Sequence, residues 1–543
     1  VRHKSELVRE LREAGLGSLE ARLAQRETHL SLTGLMGPAR QLAEALLVAE
    51  AAGPALLIVA DERRVADASA DLSTFFGFIG RPREVLPFPA IDTDPYRGLG
   101  PHFDIAAARA RALAALAERA PVMIVAPAAA LLFRTAQPAL LAGAVLNLAA
   151  GQSWETAEIE RCLLRAGYLR EDPVVAPGEF ARRGGIVDVF PPELPEPVRL
   201  EFEGEVIEEM RTFDPATQRA RNRIDAVKLR PAREWILSEA DRNRLLAALM
   251  EAGKEEKLLP KFDRESFPAG AAFALPLLPE FQANLFDYLG SAPVLVEEPA
   301  DVERNLLAEW ERILGNYDDA LDRGSQPACA PAELLLQPEE VGRMLSGRSV
   351  GVEEMAVIGT PGSPVHIPSQ IFPSFRGRVG DFVEEVRRQL ASEREVRVFA
   401  AHRGLAERWV EIFQEARISA GLADGGPIPE GAVALELGDL TRSFLLPGLG
   451  QAFLSGRDVF SEPPRPERRA ARKLGRFLSD FRDLKTGDFV VHTDHGIGVF
   501  TGLKQMPQDG GLADFVVLEY QGGDRLYVPV ERLDLLEKYS SAE

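Results

Sequence analysis

Two short runs, Ala55-Leu-Leu-Ile-Val-Ala60 and Val122-Met-Ile-Val125, constrain the fold most. Each is apolar throughout rather than at alternate positions, as in a strand buried on both faces of a parallel sheet. Parallel neighbours need long crossovers, usually helices that cover the sheet. The flanking sequence supplies them. Residues 39–52, a run ending near Phe76, and 103–119 read as helices, with a further short strand expected near Val85-Leu86. Residues 1–28 read as an amphipathic helix, with Leu7, Leu11 and Leu16 set among charges. The opening stretch, residues 1–145, is therefore predicted to be α/β.

The texture changes near residue 146. A helix is expected over 155–166, followed by strand-like segments at 184–190, 198–203 and 205–213. This grouping reads as a small α+β insert over 146–232. Helical patterns return from about 235, and 233–350 is expected to complete the first domain (1–145) or to pack beside it. Residues 351–457 read as a second α/β unit. Its strand Val396–Ala400 precedes a helix that puts Leu405, Trp409, Ile412, Phe413 and Ala416 on one face. Residues 458–477 are Pro-rich and basic without apolar periodicity, as in a linker. Residues 478–543 read as all-β, with strands at 488–492, 497–506, 514–520 and 525–530 and a turn at Gln521-Gly-Gly-Asp524. A small closed or partly open barrel would protect the edges of such a sheet.

Chemistry is sparse. Of 543 residues, 83 are acidic and 63 basic, a net charge of −20, which argues against a chain that wraps DNA along its length. A local basic stretch, Arg465–Arg476, leaves room for a DNA grip, although a solvated connector is the simpler reading. The phosphate-cradling pattern G-x-x-x-x-G-K-[ST] is absent. Its nearest counterpart, Thr33-Gly-Leu-Met-Gly-Pro-Ala39, lacks the Lys and the hydroxyl and reads as a structural turn. His492 and His495 flank Thr-Asp, but no cysteine lies in their domain to complete a tetrahedral metal site. Acidic pairs such as Asp92/Asp94 and Asp318/Asp319 read as solvated surface. Two isolated cysteines, Cys162 and Cys329, fit a reducing compartment, and no apolar run is long enough to span a membrane. No catalytic constellation, metal or cofactor is expected.

Two segments carry more. In 198–203, Val198, Leu200 and Phe202 alternate with Arg199, Glu201 and Glu203, so period two turns the apolar set inward and Arg199 outward. Arg183 precedes Gly184-Gly185. If the strands are neighbours, two guanidiniums share a face, and such planar forks suit an interface with carboxylates. Ordinary surface arginines paired with local carboxylates are the plainer alternative. In the last domain, an exposed edge is suited to pairing with a partner's strand.

These same segments carry a resemblance. Arg183-Gly-Gly-Ile-Val-Asp-Val-Phe-Pro191, with Val198-Arg-Leu-Glu-Phe202 and Met210-Arg-Thr-Phe-Asp-Pro215, resembles the second domain of the excision-repair protein UvrB. Leu86-Pro-Phe-Pro89 and Thr93-Asp-Pro-Tyr96 resemble its first domain. Gly487-Asp-Phe-Val-Val-His-Thr-Asp-His-Gly-Ile-Gly498, with Leu526-Tyr-Val-Pro-Val530, looks like the RNA-polymerase-interacting domain of CarD-type regulators. Their order in one chain is that of the transcription-repair coupling factor family. The resemblance implies a degenerate helicase-like α/β domain with an inserted α+β domain, a second α/β domain of unassigned role, and a Tudor/SH3-like barrel. It implies UvrA as partner at Arg183, Arg199 and Phe202, with Glu203 where the family often has a second aromatic. It further implies the RNA polymerase β subunit as partner at the 497–506 strand, through Val499, Leu503 and Met506. The family's ATP-driven DNA translocase lies beyond the polymerase-binding domain, so this stretch is expected to be a non-catalytic adaptor; it is further expected to be monomeric and to act in the bacterial cytoplasm. A CarD-type DNA-binding regulator and a helicase-related subunit are the alternatives.

Overall fold

The computed structural model describes residues 4–25, 27–97, 100–251, 269–346, 349–355, 364–375, 377–423, 428–429, 431–459, 489–492, 496–508, 511–520, 525–529 and 536–538. The architecture is multidomain α/β. A seven-stranded parallel sheet runs in the order 365–366, 30–33, 349–353, 294–297, 55–59, 122–127, 84–87. Both apolar runs lie in its interior, and every residue of Ala55–Val59 and Val122–Pro127 is buried. Their side chains split by period two. Leu56, Ile58, Ile124 and Ala126 join the core on one face, with Leu113, Leu306 and Ile313 from helices Phe103–Ala117 and Pro299–Asp322. Leu57, Val59, Met123 and Val125 join the core on the other, under helices Pro38–Val48 and Glu62–Phe78. The second of these starts on Asp61, whose carboxylate accepts from the N–H groups of Arg63 and Arg64 at 2.9 and 3.3 Å, a normal N-cap.

The single helix expected over 1–28 is broken. Helix Lys4–Leu11 passes through a wide turn at Arg12–Leu16 into helix Gly17–Ala24. Gly15 sits at φ +131, and a Cβ there would lie 2.5 Å from Cγ1 of Val365. The edge strand of the sheet therefore dictates the bend.

The chain leaves the sheet after Pro127 and returns to its middle at Val294. Between these points a four-residue antiparallel ladder pairs Leu146–Ala149 with Ala226–Leu229. Beyond the ladder stands a six-stranded sheet in the order 220–224, 206–213, 198–203, 186–189, 179–183, 169–170. Helix Thr156–Arg165 covers one face, over a core of Ile159, Leu163, Phe180, Val187, Leu200 and Met210.

A third sheet, order 370–371, 444–446, 451–455, 395–400, 433–437, 420–422, has helices Val379–Ala391 and Arg403–Glu415 around a core that buries Trp409 and Phe413. It is joined to the first sheet through helix Glu62–Phe78. Phe75 meets Phe399, Phe444 and Phe453 edge-on at centroid distances of 6.2, 6.1 and 6.4 Å, and Phe444 stacks on Phe453 at 4.6 Å. A buried Arg397–Glu436 pair (2.9 Å), with Lys4 on Glu436 at 2.7 Å, closes the rim. Asp71 on the same helix accepts from the N–H and hydroxyl of Thr441 at 2.8 and 2.6 Å.

Burial, only partly offset by those hydrogen bonds, pushes the Asp71 carboxyl up to about 7. Its ordinary value, 3.8, applies in the unfolded chain. The folded state thus holds this proton more tightly, and its contribution to stability is complete below about pH 4 and lost as pH rises through 7. Urea midpoints should therefore fall between pH 5 and pH 7.5 by less in Asp71→Asn than in the wild type. Parallel slopes would show that Asp71 ionises normally.

The last unit is a five-stranded antiparallel sheet, order 525–529, 511–519, 496–508, 489–492, 536–538, around Val490, Phe500, Val516, Leu518 and Val528. Among the described residues the ladder is open, with no pairing between its two outer strands. The linker from residue 460 onward, the Gln521–Asp524 turn and His495 lie outside the described residues. No described helix is long and apolar enough to cross a membrane, and no group of three or more His, Cys, Asp or Glu among the described residues is placed to hold a metal.

Candidate interaction surfaces

The six-stranded sheet gives its two faces different chemistry. Strand Glu179–Arg183 turns at Gly184, whose φ is +61, into strand Ile186–Val189. That strand pairs with Val198–Glu203, setting Asp188 opposite Arg199 and Ile186 opposite Glu201. The hairpin register sets Arg183 opposite Ile186 and Ala181 opposite Asp188. One face therefore carries Arg183, Asp188, Arg199 and Glu201, with Glu209 and Arg211 from the next strand. The other carries Phe180, Val187, Val198, Leu200 and Phe202 against the helix-covered core.

Both arginines are already partnered. Arg199 donates from Nε to Oδ1 of Asp188 at 2.7 Å and from Nη2 to Oδ2 at 2.8 Å, and its guanidinium lies 4.8 Å over the Phe213 ring. Its side chain is only 18% exposed, and that of Asp188 2%. Its hydrogen bonds to Asp188 hold the guanidinium more firmly protonated than usual. Arg183, 44% exposed, donates from Nε to Asp172 at 2.8 Å and makes a second contact through Nη2. That hydrogen bonding holds the Asp172 carboxyl below the usual range.

The expected site is thus partly assembled. Arg183 and Arg199 share a face, because strands 186–189 and 198–203 are the neighbours that this reading required. Arg199 is not freely outward but held flat by a buried carboxylate. Phe202 lies on the opposite face, half-buried at the core rim, with its N–H donating to Gly185 O at 2.8 Å. Glu203 is exposed at the adjoining turn. The reading of Asp92 as solvated surface is corrected. It is 5% exposed, and Oδ1 accepts the His102 N–H at 3.3 Å.

The loop between strand Leu30–Thr33 and helix Pro38–Val48 sits where a phosphate cradle would. Its own chain fills it. Ser369 takes the Met36 N–H on its hydroxyl oxygen at 2.7 Å and donates to Gly34 O at 3.1 Å. The Gly34 N–H donates to Glu353 O at 3.1 Å, and Ile367 and Ser369 donate to Thr33 O and Gly34 O at 2.9 Å each. Glu297, Glu298 and Glu354 surround Arg40 on the helix's first turn. The N–H groups of Gly34 and Met36 are engaged within the chain, and Arg40 at the helix's start is engaged by carboxylates, so neither is left for a phosphate.

In the last unit, Val499 pairs with both Phe489 and Glu519, while Leu503 and Met506 lie opposite Val516 and Ala513. Among the described residues, Phe500–Gln508 have a strand on one side only.

Comparison with known proteins falls on these same regions. The UvrB interaction domain profile matches residues 146–235, and the CarD-like/TRCF RID domain profile matches 484–540. The transcription-repair-coupling factor of Myxococcus xanthus is 32% identical over 552 residues, 94% of this chain and 45% of the relative. The chain is homologous to the bacterial transcription-repair-coupling factors. The Bacillus subtilis member is 24% identical (94% of this chain, 45% of the relative), and the Mycobacterium tuberculosis member 31% (91% and 43%). The chain thus spans less than half the length of these curated family members. Both profile matches lie on the two sheets singled out above, whereas the filled cradle lies outside them.

Proposed function

We propose that this chain is the adaptor part of a transcription-repair-coupling factor, joining RNA polymerase to the excision-repair protein UvrA. The observation that carries the reading is the presence in one chain of a UvrB interaction domain, with its arginine face, and a CarD-like polymerase-interacting domain. UvrA docks on the face of Arg183 and Arg199, and Phe202 supports that face from the core side. The polymerase β subunit adds a strand along Val499, Leu503 and Met506. This strand addition draws its affinity from main-chain hydrogen bonds, and the one-sided pairing of Phe500–Gln508 supports it. In this reading the last sheet curls into a small barrel, the chain acts in the bacterial cytoplasm, and ATP-driven translocation belongs to parts of the family outside this stretch. The filled cradle is in keeping with a non-catalytic role.

Bridging is the direct test. Surface-bound RNA polymerase should retain UvrA only when this chain is added, and Arg183→Glu should release UvrA while leaving the chain on the polymerase. Retention of UvrA without the chain, or loss of the chain together with UvrA, would defeat the bridge.

A further inference from the structure

The two arginines of the proposed UvrA face are held by carboxylates in contrasting surroundings. Asp188 is buried, its strand is flanked on both sides, and both oxygens are bonded to Arg199. Moving it would strand a charge away from water. Asp172 is 54% exposed on the segment after the edge strand Leu169–Arg170, and its partner Arg183 is 44% exposed. Exposed pairs of this kind separate at little cost, because water replaces the partner. A guanidinium has five N–H donors. Asp188 takes two from Arg199, whose side chain keeps 18% of its surface exposed, so the remaining donors can serve an incoming carboxylate while Asp188 stays bound. Around Arg183 the same number of donors is engaged, but by a carboxylate that stays at the surface and repels any acidic group approaching that fork.

We propose that Asp172 is a built-in competitor for the partner: it occupies the fork of Arg183 in the free chain and must be displaced by a carboxylate of the docking protein, whereas Asp188 is a positioning residue that keeps Arg199 fixed in free and bound states alike. The inference rests on the UvrA reading above and sets how tightly that face binds. Affinity at this face is therefore held below what its arginines allow, and an acidic partner surface is the chemistry that releases it.

The experiment is a titration of purified UvrA with the chain. Asp172→Asn removes the charge at nearly constant volume and should tighten binding about two- to five-fold, the span expected for a surface pair. In an Arg183→Gln background the same substitution should change nothing, because the fork it frees is gone. A purely structural effect of Asp172→Asn would persist in that background and overturn the proposal, as would equal or weaker binding by Asp172→Asn alone. If Arg183→Gln by itself leaves UvrA affinity untouched, the docking reading has failed rather than the competition. Asp188→Asn should weaken binding without altering the gain from Asp172→Asn, and an equal gain from both aspartates would refute the division of roles.

Discussion

Arg199→Glu should cost the inserted module about 3–5 kcal/mol of stability before any partner is added. The carboxylate of Asp188 is 2% exposed, and both of its oxygens are bonded to the guanidinium. Glutamate at 199 removes those bonds and places a second negative charge against the first. It also withdraws the cation from the face of Phe213, itself fully buried. Amide hydrogen exchange in strands 186–189 and 198–203 reads this stability locally. Unchanged protection would mean that the buried pair is not what holds the sheet. A binding test thus needs a different substitution. Replacing both partners with apolar residues of similar shape, Asp188→Leu with Arg199→Met, leaves no orphaned charge and should keep the fold near wild-type stability. It should still lower UvrA affinity about 30-fold or more, since truncating a paired interfacial charge is worth roughly 2 kcal/mol upward. Full affinity in a folded double variant would move the contact away from Arg199.

Phe75→Ala should be comparably severe, but on a different boundary. Phe75 is fully buried, and Phe399, Phe444 and Phe453 of the third sheet meet its ring edge-on. Truncating a buried phenylalanine costs about 3–5 kcal/mol, and here the cavity opens between two sheets instead of within one. The wild-type chain should unfold these sheets together, and the variant should melt them in two separated calorimetric steps. A single step at lower temperature would show that the Asp71–Thr441 and Lys4–Glu436 contacts suffice to keep them coupled.

The sheet interiors were legible in the sequence because a short unbroken apolar run flanked by helical patterns has few other uses. The return strands Val294–Glu297 and Ser349–Glu353 were not. Each is short, the second carries polar residues, and membership of the first sheet is settled by crossovers that no local pattern encodes. Period two placed Arg199 and Phe202 on opposite faces correctly from 198–203 alone. What it could not give was register. That Asp188, eleven residues away, faces Arg199 depends on where the intervening loop turns, so the pair became visible only with the strands aligned. The plug of the cradle-like loop was hidden for the same reason, since Ser369 lies 335 positions from the Gly34 carbonyl to which it donates.

The four-residue ladder between Leu146–Ala149 and Ala226–Leu229 also decides how the inserted module responds to force. The ingoing strand begins at Leu146, which lies opposite Leu229, where the outgoing strand finishes. Tension along the chain therefore pulls the two strands apart from one end, breaking hydrogen bonds in sequence instead of all at once in shear. The six-stranded sheet stays unloaded until the last of those pairs, Ala149 with Ala226, has opened. Pulled by its flanks, the chain would yield at this zipper before the arginine face and lengthen while that face stayed folded.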